Sequence, residues 1–351
     1  MRTRLLEGVR VLDLSQGAAG AFAGRFLALL GARVTAVTLP GSPPAPPTLR
    51  AFLGLHKSRR RLDPERRPDR AALDALVHRS DAIVLDLPRE RSRRWGLAPA
   101  QLSRAPLHPV VVEVTGLYGA LPWADQPLAE VVWQAAGGWA APNGVEGAPA
   151  RIRGYPASCL AGAHVALVVA ALAFRRLVTG RGGQASVSTV ESVAAALEGS
   201  LSEHFASRGE RASGAAEFSG RNAAGPVRGR DGTLLLCAPT DEQRQDLLHL
   251  LGAAETATPA DLPGGRVDRA DISPPLRRLL RDWTRDAWFH TTQAWRLPCS
   301  VFLETAELLR DPHLAARGFF RTRGGRSGPG SPWRATSRGG RPSDGAAGRA
   351  G

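Results

Sequence analysis

The sequence has few cysteines, which bind zinc or form the disulfide bonds that stabilise small domains. Its three cysteines, Cys159, Cys237 and Cys299, lie far apart, and the chain has neither a CxxC pair nor an HExxH motif. These absences exclude a zinc-finger pattern and a disulfide framework, so we expect no metal site. P-loop and GxGxxG fingerprints and the GxSxG elbow of serine hydrolases are also missing, so those classes are not indicated.

The chain has almost no lysine. Lys57 is the only one among 46 basic residues, which exceed the 32 acidic residues and give a net charge of +14. Part of this excess lies in residues 321–351, where seven arginines are accompanied by one acid, Asp344. A nucleic-acid-binding chain interleaves aromatic residues with a basic face. No such pattern is present, so we expect no nucleic-acid partner and favour a pocket for an anionic substrate.

One apolar run and the N-terminus bear on location. Residues 157–174 are mostly apolar and reach the lower length limit of a membrane span. Because His164 interrupts the run and Arg175 and Arg176 end it, a buried helix is favoured over a membrane segment. The N-terminal MRTRLLEGVRVLDLS has no apolar signal core. We therefore expect a cytoplasmic protein with no membrane partner.

Short apolar runs alternate with helical patterns along the first part of the chain. Residues 9–13 are typical of a buried strand, 17–31 of a helix and 34–38 of a second strand, which together make one βαβ unit. The alternation continues with helices at 71–80, 128–136, 157–178 and 191–206 and strands at 81–87, 109–114 and 185–190. This pattern predicts an α/β fold with a Rossmann-like large domain and a parallel sheet.

A change of composition marks the domain boundary. Residues 207–232 are rich in Gly, Ala and Arg and break regular structure. A strand at 233–238 and helices at 240–252, 274–283 and 303–316 then predict a smaller α/β domain. We assign residues 1–206 and 305–337 to the large domain, 207–225 to a linker, 226–304 to the small domain and 338–351 to a disordered Arg/Gly-rich tail.

Five motifs follow one another in an order that is known from one family. They are LEGVRVLDLSQGAAGAFAGRFLALLGA from residue 6, TGLYG with WADQP at 115–127, LAFRRLVTGRGGQASVSTV at 172–190, RDG at 230–232 and DPHLAARG at 311–318. No single motif is diagnostic, but the ordered set resembles the class III CoA-transferase family. That family includes formyl-CoA transferase, carnitine CoA-transferase and α-methylacyl-CoA racemase. The resemblance runs from Leu6 to about Trp333 and implies an interlocked homodimer.

The resemblance implies nucleophilic catalysis by a carboxylate. In the family, an aspartate attacks an acyl-CoA thioester to form a mixed anhydride, and the CoA thiolate returns to form an enzyme–CoA thioester. An acceptor carboxylic acid then takes the CoA. The matching residue here is Glu130, in PLAEVVWQA. The resemblance therefore implies an acyl-CoA:carboxylate CoA-transferase with Glu130 as nucleophile and with CoA as substrate, not as a tightly bound cofactor. Without the resemblance, Glu130 can equally be a solvent-facing helix residue.

The resemblance also implies residues that contact CoA. It places Gln16, Gly17 and Ala18 at a helix N-terminus beside the nucleotide end of CoA. It places Arg94 near CoA, where a guanidinium group suits a phosphate, and Arg59 in a basic run at a similar place. The alternative for the first three is an ordinary strand–helix turn, and the alternative for the basic run is a solvated loop.

Two glycines and two substitutions refine the predicted chemistry. Gly137 and Gly138 follow Glu130, and their backbone N–H groups are candidates for oxyanion stabilisation, although glycine pairs also simply form turns. Ala129 and Ser158 match the positions at which the racemase branch has histidine and aspartate. Neither residue moves a proton at neutral pH, so racemisation is not expected.

Departures from the family pattern leave other functions open. The family's Lys and Glu after the second strand become Ala36 and Thr38, and Asp86 stands where the family has Asn. One alternative is a repurposed member that acts on a CoA- or carrier-linked biosynthetic intermediate without CoA exchange. Another is a non-catalytic subunit that forms a dimer with an active paralogue.

Overall fold

The structure is a computed structural model and describes residues 4–43, 45–117, 129–141, 143, 148–197, 223–253, 255, 274–323 and 326–335. Most of the predicted linker, the predicted C-terminal tail and the motif segment 118–127 lie outside these residues. The chain divides into two compact units. Unit 1 comprises Met1–Trp139, Ile152–Ala196 and Pro312–Gly351, and unit 2 comprises Ala140–Arg151 and Leu197–Asp311.

Unit 1 is built on a parallel sheet of six strands. They are β1 (Arg10–Asp13), β2 (Arg33–Thr38), β3 (Ser58–Arg61), β4 (Ala82–Leu85), β5 (Val110–Thr115) and β6 (Gly183–Ser188). They lie in the order β3-β2-β1-β4-β5-β6, and each neighbouring pair is parallel. This confirms the α/β fold with a Rossmann-like parallel sheet. The strand order reverses between β1 and β4, which is where such sheets bind ligands.

Helices cover both faces of this sheet. They are α1 (Ala18–Leu29), α2 (Pro47–Leu53), α3 (Arg67–His78), α4 (Arg89–Arg94), α5 (Pro99–Leu102), α6 (Glu130–Ala136), α7 (Pro156–Thr179) and α8 (Thr189–Ala194). Because strand side chains alternate between faces, Val11 and Val84 pack with α1 and α7, whereas Leu12 and Ile83 pack in the layer that contains Leu73 of α3.

α7 forms over the apolar run that the sequence singled out. Among the described residues, it is the helix that is long and apolar enough to cross a membrane. Seven residues of its inner face, from Ala157 to Val169, are buried, and four of them pack in the apolar layer that contains α1. Phe174 and Leu177 of its outer face are exposed. The predicted helix is therefore confirmed, but its burial is one-sided. Gly180 ends it with a φ of 70°, a conformation that favours glycine.

Unit 2 contains a three-stranded antiparallel sheet, in the order β7-β8-β9. Its described elements are β7 (Ala223–Arg228), β8 (Thr233–Ala238), α9 (Asp241–Leu250), α10 (Pro274–Arg281), α11 (Arg285–Ala294), β9 (Ser300–Val301) and α12 (Thr305–Leu308). Trp288 of α11 is fully buried in the core of this unit, and its indole N–H donates to the carbonyl oxygens of Leu235 and Ser300. The tryptophan thus ties its helix to two strands.

The end of the described chain corrects one prediction. The single helix predicted at 303–316 is wrong, because α12 ends at Leu308 and α13 (Pro312–Ala316) begins four residues later. Pro312 has no N–H to continue the helix and disfavours helical backbone at the residue before it. The hairpin of β10 (Phe320–Arg323) and β11 (Arg326–Pro329) follows. Arg25 of α1 holds it by donating to the Pro329 carbonyl oxygen at 2.9 Å.

Candidate active site

Two helices of unit 1 begin at the edge of the sheet where the strands end. α1 directly follows β1, so its N-terminus lies at the carboxyl edge. α7 connects β5 to β6, which are parallel, so the helix runs opposite to the strands and also begins at that edge. Ligands of doubly wound sheets bind at this edge. Both helix N-termini receive a carboxylate from elsewhere in the chain.

Glu130 places its carboxylate on the N-terminus of α7. Oε1 accepts the backbone N–H of Ala157 at 2.8 Å, and Oε2 accepts the backbone N–H of Ser158 at 3.1 Å. The Ser158 hydroxyl donates to Oε2 at 2.6 Å, and the Gln134 amide donates to Oε1 at 3.0 Å. Tyr155 precedes α7 without a side-chain cap, so Glu130 takes the place of one. The residue is half-buried and does not point into bulk solvent.

The Gln134 amide that contacts Glu130 is held in place by hydrogen bonds to the backbone of Ile152. Gln134 lies one turn after Glu130 on α6 and is fully buried. Its Oε1 accepts the Ile152 N–H at 2.7 Å, and its Nε2 donates to the Ile152 carbonyl oxygen at 3.1 Å. These two bonds define which end of the amide is the donor. The remaining N–H must therefore be directed at Glu130, because an NH₂ group carries two donors.

The four donors satisfy the carboxylate fully. An ionised carboxylate has about four lone-pair positions, and each oxygen of Glu130 accepts two hydrogen bonds. The positive end of α7 adds to this stabilisation of negative charge. The arrangement affects Cys159, because burial and then the charge of Glu130 raise the pKa of its thiol. The cysteine is therefore a poor nucleophile beside a well-held carboxylate.

Gly137 and Gly138 lie at the opposite end of α6 from Glu130. The Gly137 N–H donates to the Trp133 carbonyl oxygen at 2.9 Å, and the Gly138 N–H donates to that of Ala135 at 3.2 Å. Both N–H groups are therefore used to close the helix and are not available to an oxyanion in this conformation. Gly138 has a φ of 91°, as expected of a glycine that forms a turn.

Asp86 occupies the N-terminus of α1. It follows β4 and is half-buried, and its two carboxylate oxygens accept the backbone N–H groups of Gln16 at 2.6 Å and Gly17 at 2.7 Å. Burial, opposed by these bonds and reinforced by the charge of Asp13, raises the pKa of Asp86 to about 6. Two of the three residues that the resemblance assigned to a nucleotide, Gln16 and Gly17, thus have their backbone N–H groups bonded to the protein's own acid.

A cavity of about 930 Å³ opens beside the ends of β1, β2 and β3. Gln16, Gly17, Ala18 and Arg59, four of the residues predicted to contact CoA, line it together. Arg94 is not among its described lining residues and instead forms a largely exposed ion pair with Glu65 at 2.7 Å. Glu130 is likewise not among the described lining residues.

An ion pair lies at the wall of this cavity. Lys57 and Asp13 form it at 2.8 Å, and only 2% of each side chain is exposed. Lys57 also donates to the Ala21 carbonyl oxygen at 2.7 Å. Gly24 leaves room for the pair, since a Cβ there would lie 2.5 Å from Asp13 Oδ2. The only lysine of the chain is therefore held by an internal acid.

Sequence reasoning did not find three polar partners of these sites. Gln134 has a signal in the sequence, because it lies four residues after Glu130 and so shares its helix face. Ser158 was noted only as a lost racemase residue, and its hydrogen bond to Glu130 spans 28 residues. The pairing of Lys57 with Asp13 spans 44 residues. Contacts across such separations depend on the fold and leave no local pattern.

A reversed strand order, a cationic cavity at the carboxyl edge and a carboxylate held on a helix N-terminus define a doubly wound α/β protein with its ligand site at the sheet edge. The sequence profile of CoA-transferase family III matches residues 6–344. The chain belongs to CoA-transferase family III, which confirms the family expected from the ordered motifs. Membership supports a CoA-transferase enzyme at the level of the family.

Named relatives agree with this assignment. The formyl-CoA:oxalate CoA-transferase of Streptomyces coelicolor is 26% identical over 350 residues, which cover 90% of this chain and 84% of the relative. The acetyl-CoA:oxalate CoA-transferase of Acetobacter aceti is 23% identical over 347 residues, which cover 93% and 88%. These relatives act on a CoA thioester and a carboxylate, according to their names.

Solved structures share the fold. A CAIB/BAIF family protein from Brucella suis has a TM-score of 0.83 at 21% sequence identity, covering 96% of this chain and 93% of that one. A hypothetical protein from Mycobacterium tuberculosis has a TM-score of 0.75 at 21% identity, covering 95% and 94%. At this identity, the similarity concerns the architecture of the chain.

Proposed function

We propose that the protein is an acyl-CoA:carboxylate CoA-transferase in which Glu130 carries first the acyl group and then CoA. The observation that supports this most is the position of the Glu130 carboxylate, held on the N-terminus of α7 at the carboxyl edge of the sheet. Family membership supports the reaction class. The proposal requires no metal and no tightly bound cofactor.

The reaction balances without a net proton transfer. One Glu130 oxygen attacks the thioester carbonyl carbon, the C–S bond breaks, and a mixed anhydride and CoA thiolate form. The thiolate attacks the glutamyl carbonyl carbon, which releases the donor acid as a carboxylate and leaves a glutamyl–CoA thioester. An acceptor carboxylate then repeats the two steps in reverse. It leaves as its CoA thioester and restores Glu130.

The hydrogen bonds favour Oε2 as the attacking oxygen. Oε1 is held by the Ala157 backbone and by an amide that the Ile152 backbone fixes. Oε2 is held by one backbone N–H and by the Ser158 hydroxyl. A hydroxyl rotates about its C–O bond, whereas the other three donors are fixed in direction. Rotation of the Ser158 hydroxyl therefore frees one lone pair and leaves the carboxylate in place.

The cavity beside β1, β2 and β3 is proposed to hold the nucleotide end of CoA. Gln16, Gly17 and Ala18 contribute one wall and Arg59 contributes another. Arg94 is not among the described lining residues and pairs with Glu65 in a largely exposed ion pair, so its contact with CoA stays a prediction. The resemblance to interlocked family members also leads us to propose a homodimer, which sedimentation of the purified protein tests.

A trapping experiment tests the proposed intermediate. The purified protein is incubated with a panel of acyl-CoA thioesters without acceptor, then treated with hydroxylamine or borohydride and digested. We expect mass spectrometry to find a hydroxamate or an alcohol at Glu130. Glu191, an exposed acid in the first turn of α8, is the internal control and should remain unmodified. Absence of modification at Glu130 across the panel contradicts the proposal.

A second candidate is a repurposed family member that acts without CoA exchange. Two observations favour it: the four donors that satisfy Glu130, and the occupation of the α1 N-terminus by Asp86. Calorimetry with CoA separates the two candidates. Tight binding of free CoA supports the transferase, whereas binding of an acylated carrier with no response to CoA supports the alternative.

A further inference from the structure

The sheet register brings two arginines beside two small residues. In the parallel pairing of β2 and β3, Ala36 lies opposite Arg59 and Thr38 lies opposite Arg61. All four residues line the cavity. The small side chains on β2 leave space over that strand for the long side chains on β3. Arg60, between the two arginines, points to the other face of the sheet because strand side chains alternate.

The guanidinium groups on this wall are poorly neutralised. Within the part of the chain that the structure describes, the side chains of Arg61 and Arg66 have no hydrogen-bond or ion-pair partner, and both residues line the cavity. Arg59 donates one N–H to the Arg50 carbonyl oxygen at 3.0 Å and has other donors left.

The two acids on the same wall are already engaged. Asp63 Oδ1 accepts the Glu65 N–H at 3.0 Å, and Asp69 Oδ2 accepts the Asp63 N–H at 3.0 Å. Both carboxylates line the cavity and remain negative charges. Arg59, Arg61 and Arg66 outnumber the two acids, and Arg50 of α2 adds a fourth arginine to the lining, so this side of the cavity carries net positive charge.

Among the described residues, the wall formed by the start of α1 and Lys57 has no unpaired positive charge that could bind an anion. Asp86 holds the Gln16 and Gly17 N–H groups, so the start of α1 already carries an anion. The Lys57 ammonium group is neutralised by Asp13 at 2.8 Å. A phosphate placed at the α1 N-terminus would meet the charge of Asp86 in a poorly solvated region, which is unfavourable.

From this difference in charge between the two walls of the cavity, we infer that Arg59 and Arg61, with Arg66, form its phosphate subsite. We infer also that α1 contacts an uncharged part of the ligand. The ligand class is a phosphate or pyrophosphate ester. Its identification as CoA rests on the proposed function. Bidentate guanidinium contacts suit such groups, and Arg61 and Arg66 become binding residues that the sequence motifs did not indicate.

Calorimetry with the full-length protein tests the subsite. The probes are CoA and pantetheine, which lacks all of the phosphates of CoA. We expect Arg59→Gln and Arg61→Gln each to weaken CoA binding about tenfold, and the double variant about a hundredfold. Pantetheine binding should change less than twofold. The dependence of CoA affinity on salt should also become weaker in both variants, because fewer phosphate contacts remain.

Arg60→Gln is the matched control, since it removes the same charge from the same strand on the face away from the cavity. CoA affinity unchanged in this variant, together with losses in the other two, supports the subsite. Equal losses in all three, or none in Arg59→Gln and Arg61→Gln, overturn it, as does a wild-type protein that does not bind CoA. If the trapping experiment finds no adduct at Glu130 but the Arg59 and Arg61 variants weaken CoA binding as expected, only the catalytic proposal is contradicted. If the adduct forms but these variants bind CoA like the wild type, only the subsite is contradicted.

Discussion

The N-termini of α1 and α7 in unit 1 each bind a carboxylate from elsewhere in the chain, but the two carboxylates differ in their other contacts. Asp86 reaches α1 from the end of β4, and Glu130 reaches α7 from the start of α6. Glu130 accepts N–H groups of the first turn of α7, whereas Asp86 accepts those of Gly17, which caps α1, and of Gln16, which precedes it. Both acids are half-buried, but Asp86 receives only backbone donors, whereas Glu130 also receives the Ser158 hydroxyl and the Gln134 amide.

The difference lies in which contacts can be exchanged. The described residues give Asp86 only backbone donors, including the Gln16 and Gly17 N–H groups in the turn between β1 and α1. One donor to Glu130, the Ser158 hydroxyl, rotates about its C–O bond. Under the proposed mechanism, the carboxylate with this rotatable donor is the one that reacts, and the carboxylate held by backbone alone is a structural cap.

Replacing Glu130 by glutamine is expected to have the largest effect of the variants that compare the two carboxylates. Glu130→Gln keeps the size of the side chain and one carbonyl acceptor for the α7 N–H groups, but an amide does not form the anhydride. We expect the transfer of CoA between an acyl-CoA and an acceptor acid to fall about a thousandfold or more. The melting temperature should change by only a few degrees, since the site is half-buried.

Glu191→Gln is the control for this measurement, because Glu191 lies in the first turn of α8 and is exposed. Its CoA transfer rate should match the wild type within about twofold. If Glu130→Gln retains the wild-type rate, then Glu130 is a cap of the same kind as Asp86, and the distinction between the two helix ends disappears.

The second effect concerns stability at the α1 end. Because the pKa of Asp86 is raised to about 6 from 3.8, the folded state binds a proton more tightly than the unfolded state does. The unfolded state therefore binds fewer protons between pH 4 and 6, and stability falls as pH rises through that range. At pH 7, the ionised carboxylate lowers the free energy of unfolding by about 3 kcal/mol relative to its protonated form.

Urea unfolding of the wild type and Asp86→Asn measures this term. The wild type should lose about 2.4 kcal/mol relative to the variant between pH 4 and pH 7, because asparagine does not titrate. Taking the difference between the two proteins cancels the titration of other groups. Parallel pH profiles for the two proteins contradict the raised pKa of Asp86.

The elements that the sequence predicted well are those with an apolar period. β1, β2, β4, β5, α1 and α7 carry enough buried Val, Leu, Ile and Ala to show their strand or helix pattern, and the structure confirms them. β3 has the sequence SRRR with no buried residue, and its sequence predicts no strand. It is a strand because it pairs with β2 at the edge of the sheet, a tertiary contact that its own sequence does not encode.

The candidate sites divide in the same way. The resemblance to the family predicts that Gln16, Gly17 and Ala18 contact CoA, and the structure brings them to one cavity with Arg59. The occupation of the α1 N-terminus by Asp86 depends on β1 and β4 being neighbours, although 70 residues separate the partners. Residue identity suggested an unfavourable charge there. Only the strand order shows which donors that charge uses.

The smallest effect is the most specific test of what distinguishes the two carboxylates. Ser158→Ala removes the rotatable donor to Glu130 and keeps the backbone N–H that caps the helix. If this hydroxyl must turn away before Oε2 attacks, its removal lowers the barrier by about 1 kcal/mol, and single-turnover acylation of Glu130 becomes about fivefold faster. Ser192→Ala, which removes a buried hydroxyl bonded to the Ser188 carbonyl oxygen in α8, should leave that rate unchanged. Slower acylation in Ser158→Ala means instead that the hydroxyl holds the carboxylate in the transition state. The four donors then act together as an anchor, and the rotatable hydroxyl no longer separates the role of Glu130 from that of Asp86.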